Sequence, residues 1–247
     1  YEFVSSGAYL EEKSWSEQGW AWRRFRNARW PAFWVQDGPV GSHQYRLRTT
    51  FTEEPMQWDW PVAVNFYEAK AYCAWRSGRD GVKSPYRLLH EKEHVAMRDS
   101  EQQAFVTDPI SNAPGLQGRQ INHNLLLGSE GSVEKFAVND KGFHDVFGNV
   151  WQWCEDAFHP LPGFAIHPYY VDFSTPCFDD RHQMILGGSF ISTGDEASMF
   201  ARFHFRPHFF QHAGFRLVQG EEEQRPEGGR RYETDALLNQ YMLFHYG

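Results

Sequence analysis

Two rhythms of apolar and polar positions run along the chain. A helical rhythm is clearest over residues 65–77, where Phe66, Ala69 and Cys73 fall on one face. Asn65 stands at its start with Glu68 three residues on, the spacing of a capping box. A second, shorter helix is predicted from about Glu91 to Arg98. A strand rhythm takes over between residues 184 and 218. Met184-Ile185-Leu186 is an apolar run, and Arg202-Phe203-His204-Phe205-Arg206 alternates strictly. That alternation places Arg202, His204 and Arg206 on one face and the two phenylalanines on the other.

Between these segments the pattern breaks down. Residues 1–60 crowd Trp15, Trp20, Trp22, Trp30 and Trp34 among arginines, glycines and prolines, which predicts loops and short strands around large rings. Residues 100–145 are polar and rich in glycine and asparagine, and read as long ordered loops of the kind that carry sites. Residues 219–232 hold Glu221-Glu222-Glu223, Pro226, Gly228 and Gly229 and read as a linker. Over 233–247, Thr234 caps a final helix with Leu237, Leu238, Tyr241 and Met242 on one stripe. The expected layout is one domain over 1–218, the linker, and an amphipathic helix leading toward a further domain.

Composition narrows the class. Ten tryptophans and 17% aromatic residues require many rings to be buried or to line a pocket. A net charge of −8, with no basic run, argues against nucleic acid as a partner. No apolar run reaches membrane-spanning length. The three cysteines, Cys73, Cys154 and Cys177, form neither a CxxC motif nor an even disulfide set, so a reducing, cytoplasmic setting is expected.

An ordered set of motifs identifies the fold. It comprises Trp60-Pro61-Val62, Ala71-Tyr72-Cys73-Ala74-Trp75, Tyr86-Arg87-Leu88, Gly148-Asn149-Val150-Trp151-Gln152-Trp153, Gly187-Gly188-Ser189-Phe190 and Gly214-Phe215-Arg216-Leu217. The set resembles the formylglycine-generating-enzyme, or sulfatase-modifying-factor, domain. The resemblance implies an α+β, irregular C-type-lectin-like fold with little regular secondary structure.

Other stretches resemble one branch of that superfamily, the sulfoxide synthases of thiol-histidine biosynthesis, and within it the ovothiol-type 5-histidylcysteine sulfoxide synthases. They are Arg23 to Asn27, Pro162-Gly163-Phe164, Asp172 to Phe178, Gln183 to Phe190 and Phe205 to His212. This likeness implies an oxidoreductase that joins cysteine sulfur to histidine using O2 and Fe(II). In that family a DinB-like N-terminal helical domain supplies the histidine ligands of a non-haem iron. The likeness opens at Tyr1-Glu2-Phe3-Val4, at a point resembling the inside of the lectin-like domain. The iron is therefore expected from a helical domain or chain outside this sequence, and this chain alone is expected to lack iron and turnover. The linker and the 241–247 segment resemble the approach to a C-terminal methyltransferase domain.

The resemblance also implies site residues. Tyr169 is expected to serve catalysis by handling a proton or electron during oxygen activation, a role open to a phenol. Arg202, His204, Phe205, Arg206 and His208 are expected to bind substrate, the two arginines suiting a carboxylate. Asp145, Gly148, Val150 and Gln152 resemble a calcium site of formylglycine-generating enzymes. Gln152 replaces the expected glutamate, and strong calcium binding is not expected there or around Asn124. The stretch from Phe200 to Phe215 lacks the copper-binding cysteine pair of those enzymes. His90 and His94 stand i, i+4 on the second helix, where a solvated face is expected rather than a metal site. The rival to the enzymatic reading is a non-catalytic structural or binding subunit that keeps the fold within a larger assembly.

Overall fold

The computed structural model describes residues 1–98, 121–170, 172, 175–193, 196 and 200–220. Its helices are α1 (Glu2–Ser5), α2 (Glu17–Arg26), α3 (Phe66–Asp80) and α4 (Glu91–Met97). Among the described residues nine short strands accompany them: β1 (Trp34–Gln36), β2 (Tyr45–Arg48), β3 (Glu53–Pro55), β4 (Tyr86–Leu88), β5 (Trp151–Ala157), β6 (Gln183–Leu186), β7 (Phe203–Phe205), β8 (Ala213–Gly214) and β9 (Leu217–Gln219). This is the mixed, weakly regular architecture expected from the motifs. The segments predicted as linker beyond Gly220 and as final helix lie outside the described residues, as does the part of the polar loop region between 99 and 120. Gln219 pairs with Tyr86 in the sheet, so regular structure runs into the first residue of the predicted linker.

The helix beginning at Asn65 forms as the sequence requires. The Asn65 side chain accepts from the Glu68 N–H, and the Glu68 carboxylate accepts from the Asn65 N–H, closing a reciprocal capping box. Gly81 ends the helix in the left-handed conformation. The aromatic N-terminal segment departs from its prediction. Besides strands β1–β3 it holds the ten-residue helix α2, capped by the Ser16 hydroxyl accepting from the Gly19 N–H. The rings are buried as composition demanded: Trp15 and Trp34 sit with Phe3, Tyr9, Tyr45 and Leu47 in one core cluster. A cavity of about 360 Å³ lies in this half, walled by Trp34, Trp58, Tyr72 and Phe215, with Glu68 at its lining.

The sheet that carries the candidate site has the order β7-β6-β5-β8, antiparallel except for the parallel β5–β8 pair. An isolated bridge from Leu89 to Cys154 joins it to the β4–β9 ribbon. Alternation along β5 explains the paired tryptophans. Trp151 and Trp153 share one face and pack with Ile185, Phe203 and Phe205, while Trp153 Nε1 donates to the Val64 carbonyl at 2.8 Å. Cys154 points the other way, into a second cluster with Leu89, Phe158, Met184 and Leu186. The sheet is therefore sandwiched, and each face has its own core.

Two glycines of the motifs answer to close packing. Gly148 has φ +77, and a Cβ there would meet the Asn122 carbonyl oxygen at 2.7 Å. Gly187 has φ +95, and a Cβ would meet the Val146 carbonyl oxygen and Gln152 Nε2, each at 2.8 Å. Only glycine satisfies both the left-handed backbone and the contact. Asn149, between the first glycine and the tandem tryptophans, ties the loops together. Its side chain bonds both backbone groups of Gly131, Asp145 Oδ2 and Asn122 Nδ2.

Candidate functional site

Strand β7 delivers the predicted alternation. Phe203 and Phe205 turn into the tryptophan core, and Phe203 lies 5.2 Å from the Trp151 ring. Phe205 is thus a half-buried wall residue, in contact also with Phe209. Arg202, His204 and Arg206 turn to the opposite side, toward the end of β5 and the loop that leads to β6. The register sets Met184 opposite His204, which puts His182, Met184, His204 and Arg206 on one face.

Each polar group on that face is held differently. Arg202 grips Glu91, at the start of α4, through Nε and Nη2 at 2.6 and 2.9 Å, and Nη1 donates to the His159 carbonyl at 3.2 Å. Its guanidinium also lies over the Phe158 ring. His204 stacks on Phe158 with ring centroids 4.2 Å apart and meets His182 edge-on at 5.0 Å. Burial and the neighbouring His182 push its imidazole below the usual histidine range, toward the neutral form. Arg206 is the most open of the three, 3.6 Å from Asp179 Oδ2 with its side chain 43% exposed. His208 is exposed and lies against the Phe209 ring. Tyr169 is 86% exposed; its N–H bonds His167 Nδ1 and its ring lies 5.8 Å from the His167 ring. The structure thus gathers Arg202, His204 and Arg206 on one face, leaves His208 and Tyr169 open at the surface, and sets Phe205 behind.

The second helix corrects one expectation. His94 is fully buried rather than solvated. Its Nε2–H donates to the Val146 carbonyl at 3.1 Å, and Nδ1 accepts from Arg98 Nε at 3.3 Å. Desolvation, with Arg98 beside it, lowers its pKa to about 3. His90 caps the helix, with Nδ1 3.1 Å from Asp156 Oδ1. The flanking Glu93 is locked by two 2.7 Å bonds from Arg87, which holds its carboxyl down at about 2. These groups pair with one another and build the junction of α4, β4 and β5.

The residues resembling a calcium site are engaged by cationic and amide donors. Arg216 Nη2 donates to the carbonyls of His144 and Asp145 at 2.6 and 2.7 Å, while its Nε donates to Gln152 Oε1 at 2.7 Å. Gln152 Nε2 donates to the Val146 carbonyl at 3.1 Å. Of the four residues, the Asp145 carbonyl and Gln152 Oε1 are thus already engaged by the Arg216 guanidinium. Asn124, in the left-handed conformation, donates its backbone N–H to the Ser192 carbonyl.

Among the described residues, one group of possible metal ligands does occur, and it was not anticipated. Cys177, His182 and His204 bring their ligand atoms within 4.8 Å of one another. The three cysteines are free; Cys73 and Cys154 are buried and Cys177 is half-buried. No helix among the described residues is long and apolar enough to cross a membrane.

The sequence profile of the sulfatase-modifying factor enzyme 1-like domain matches residues 2–221. Hercynine oxygenase of Mycobacterium tuberculosis is 27% identical over 191 residues, covering 76% of this chain and 42% of that protein. Hercynine oxygenase of Mycolicibacterium smegmatis is 28% identical over 204 residues, with the same coverage. The chain therefore spans about two-fifths of the length of these relatives. Among solved structures, Treponema denticola variable protein 1 superposes with a TM-score of 0.51 at 18% identity, covering 79% of each chain, and shares the fold.

Proposed function

This chain belongs to the sulfatase-modifying factor enzyme 1-like family, and from that premise we propose that it is the substrate-holding scaffold of an O2-dependent sulfoxide synthase that joins cysteine sulfur to histidine. The observation that carries the reading is the polar face of β7, where an anchored arginine and a more open one flank a histidine. The names of the relatives, hercynine oxygenases, supply the reaction class. In the coupling, the cysteine S–H and an imidazole C–H bond break, and C–S and S–O bonds form. One atom of O2 ends on sulfur and the other leaves as water with both hydrogens.

When bound, Fe(II) would supply the activation of O2 for this coupling. The grouping found among the described residues is a thiol with two imidazoles, not the three imidazoles expected for that iron. The described residues do not fit the ion, and no role below runs through it. It is expected from a helical domain or chain, and a C-terminal methyltransferase domain is a further expected partner.

Arg206 is assigned the carboxylate of an amino-acid substrate, because its guanidinium is open and only loosely paired with Asp179. His208 adds an exposed imidazole beside it. Arg202, fixed by Glu91, holds β7 against α4 and adds positive charge behind the substrate. His204 and Phe205 form the two sides of the strand on which these groups ride. Tyr169 projects from the surface, where its phenolic oxygen would exchange a proton with a group on a domain docked over it.

Hercynine in place of histidine as sulfur acceptor is a second reading, favoured by the relatives' names. The test is to supply the full-length protein with Fe(II), O2, cysteine and either acceptor, and to analyse products by mass spectrometry. A coupled sulfoxide with histidine is expected. Product with hercynine alone selects the second reading, and coupled product with neither overturns the proposal.

A further inference from the structure

We propose that Cys177, His182 and His204 form a binding site for a zinc-class divalent cation, separate from the iron expected elsewhere in the assembly. The three residues come from three segments. Cys177 closes the short 3-10 turn Thr175–Cys177, His182 directly precedes β6, and His204 is the middle residue of β7. Their ligand atoms lie within 4.8 Å of one another. Around a tetrahedral zinc, bond lengths of about 2.0–2.3 Å set neighbouring ligand atoms roughly 3.3–3.8 Å apart. Small side-chain movements bring the three ligand atoms to that spacing.

Two further observations point to a ligand. The first is the setting of His182. Its Nδ1 lies 2.9 Å from Asp179 Oδ1, which also accepts the backbone N–H groups of Arg181 and His182 at 2.9 and 3.0 Å. With Nδ1 turned to this carboxylate, Nε2 is the ring nitrogen left for a ligand. Carboxylate–histidine pairs of this kind orient and strengthen metal-binding imidazoles.

The second is His204. Its Nδ1 is buried and has no hydrogen-bond partner. Stacking on Phe158 accounts for the position of the ring but leaves that nitrogen unsatisfied, and buried polar atoms in native folds are rarely left so. A cation shared with His182 and Cys177 satisfies it. A thiolate with two neutral imidazoles suits zinc, and three protein ligands leave a fourth position for water or a small anionic ligand. The inference does not depend on the proposed activity. It assigns His204 to a cation where the functional reading made it part of the substrate strand.

The test uses the full chain, reduced and stripped with chelator, titrated with Zn2+ by calorimetry and with Co2+ by absorption spectroscopy. One equivalent of Zn2+ is expected, and Co2+ should give tetrahedral visible bands with a near-ultraviolet thiolate charge-transfer band. Cys177→Ser should abolish the charge-transfer band and weaken Zn2+ binding at least tenfold. Asp179→Asn should weaken it about tenfold while leaving the three ligands in place, and reads the site even if Cys177→Ser fails to fold. His43→Ala, in the N-terminal half, should bind as the parent does. Absence of stoichiometric binding, a cobalt spectrum without the thiolate band, or undiminished affinity in Asp179→Asn would overturn the inference.

Discussion

Arg202, immediately before β7, and Glu91 at the first turn of α4 form a two-pronged ion pair, with bonds of 2.6 and 2.9 Å between residues 111 positions apart in sequence. Both side chains are less than one-fifth exposed, so the pair is shielded more than a surface bridge. It joins the last polar strand to the helix that packs on β5. A double-mutant cycle with Arg202→Met and Glu91→Gln should give a coupling of about 1–3 kcal/mol in urea unfolding. Additive effects would mean that the pair contributes nothing to holding β7.

His94 should make the fold acid-sensitive. Burial and Arg98 depress its pKa from 6.5 to about 3 in the folded state. The unfolded chain therefore takes up the proton first as pH falls. The contribution is intact above the unfolded value and is lost between about pH 6.5 and about pH 3, amounting to roughly 3 kcal/mol by pH 4. His94→Gln can keep a donor toward Val146 and an acceptor toward Arg98. Urea unfolding across this range should show a shallower acid slope in the variant, and parallel curves would contradict the assignment.

Glu68 should act in the opposite direction. Full burial raises its pKa from 4.5 to about 7, although the Asn65 N–H and the Tyr9 hydroxyl favour the ionised form. Between those values the unfolded chain releases a proton that the folded chain retains, so stability falls as pH rises through that window. Glu68→Gln removes the titration. Relative to wild type, the variant should gain roughly 3 kcal/mol between about pH 4 and about pH 8. A wild-type-to-variant difference that does not change with pH would show that the carboxyl is not shifted.

The parts of the fold legible in the sequence were those with local causes. Asn65 and Glu68 announce α3 because the capping box is a contact between near neighbours. The alternation from Arg202 to Arg206 names β7 and its two faces because a strand separates its own side chains. Helix α2 was missed because its buried residues are Gly19 and Arg23, which give no apolar stripe. His94 was misread because two glutamates precede it on its helix, whereas its surroundings, Val146, Phe147 and Arg98, are largely tertiary. The cluster of Cys177, His182 and His204 has no signature in spacing. It exists because the β6–β7 register places His182 beside His204 and the preceding turn returns Cys177 to them.

The central claim is that the open end of the β7 polar face holds an amino-acid substrate, and Arg206 tests it most directly. Steady-state kinetics of the full-length protein should be compared for the parent and Arg206→Met, varying cysteine and then the imidazole acceptor, with product read as the coupled sulfoxide. The account predicts a KM at least tenfold higher for one of the two substrates, a smaller change in kcat, and partial recovery in Arg206→Lys. An unchanged KM for both substrates in a folded variant that still turns over would contradict it.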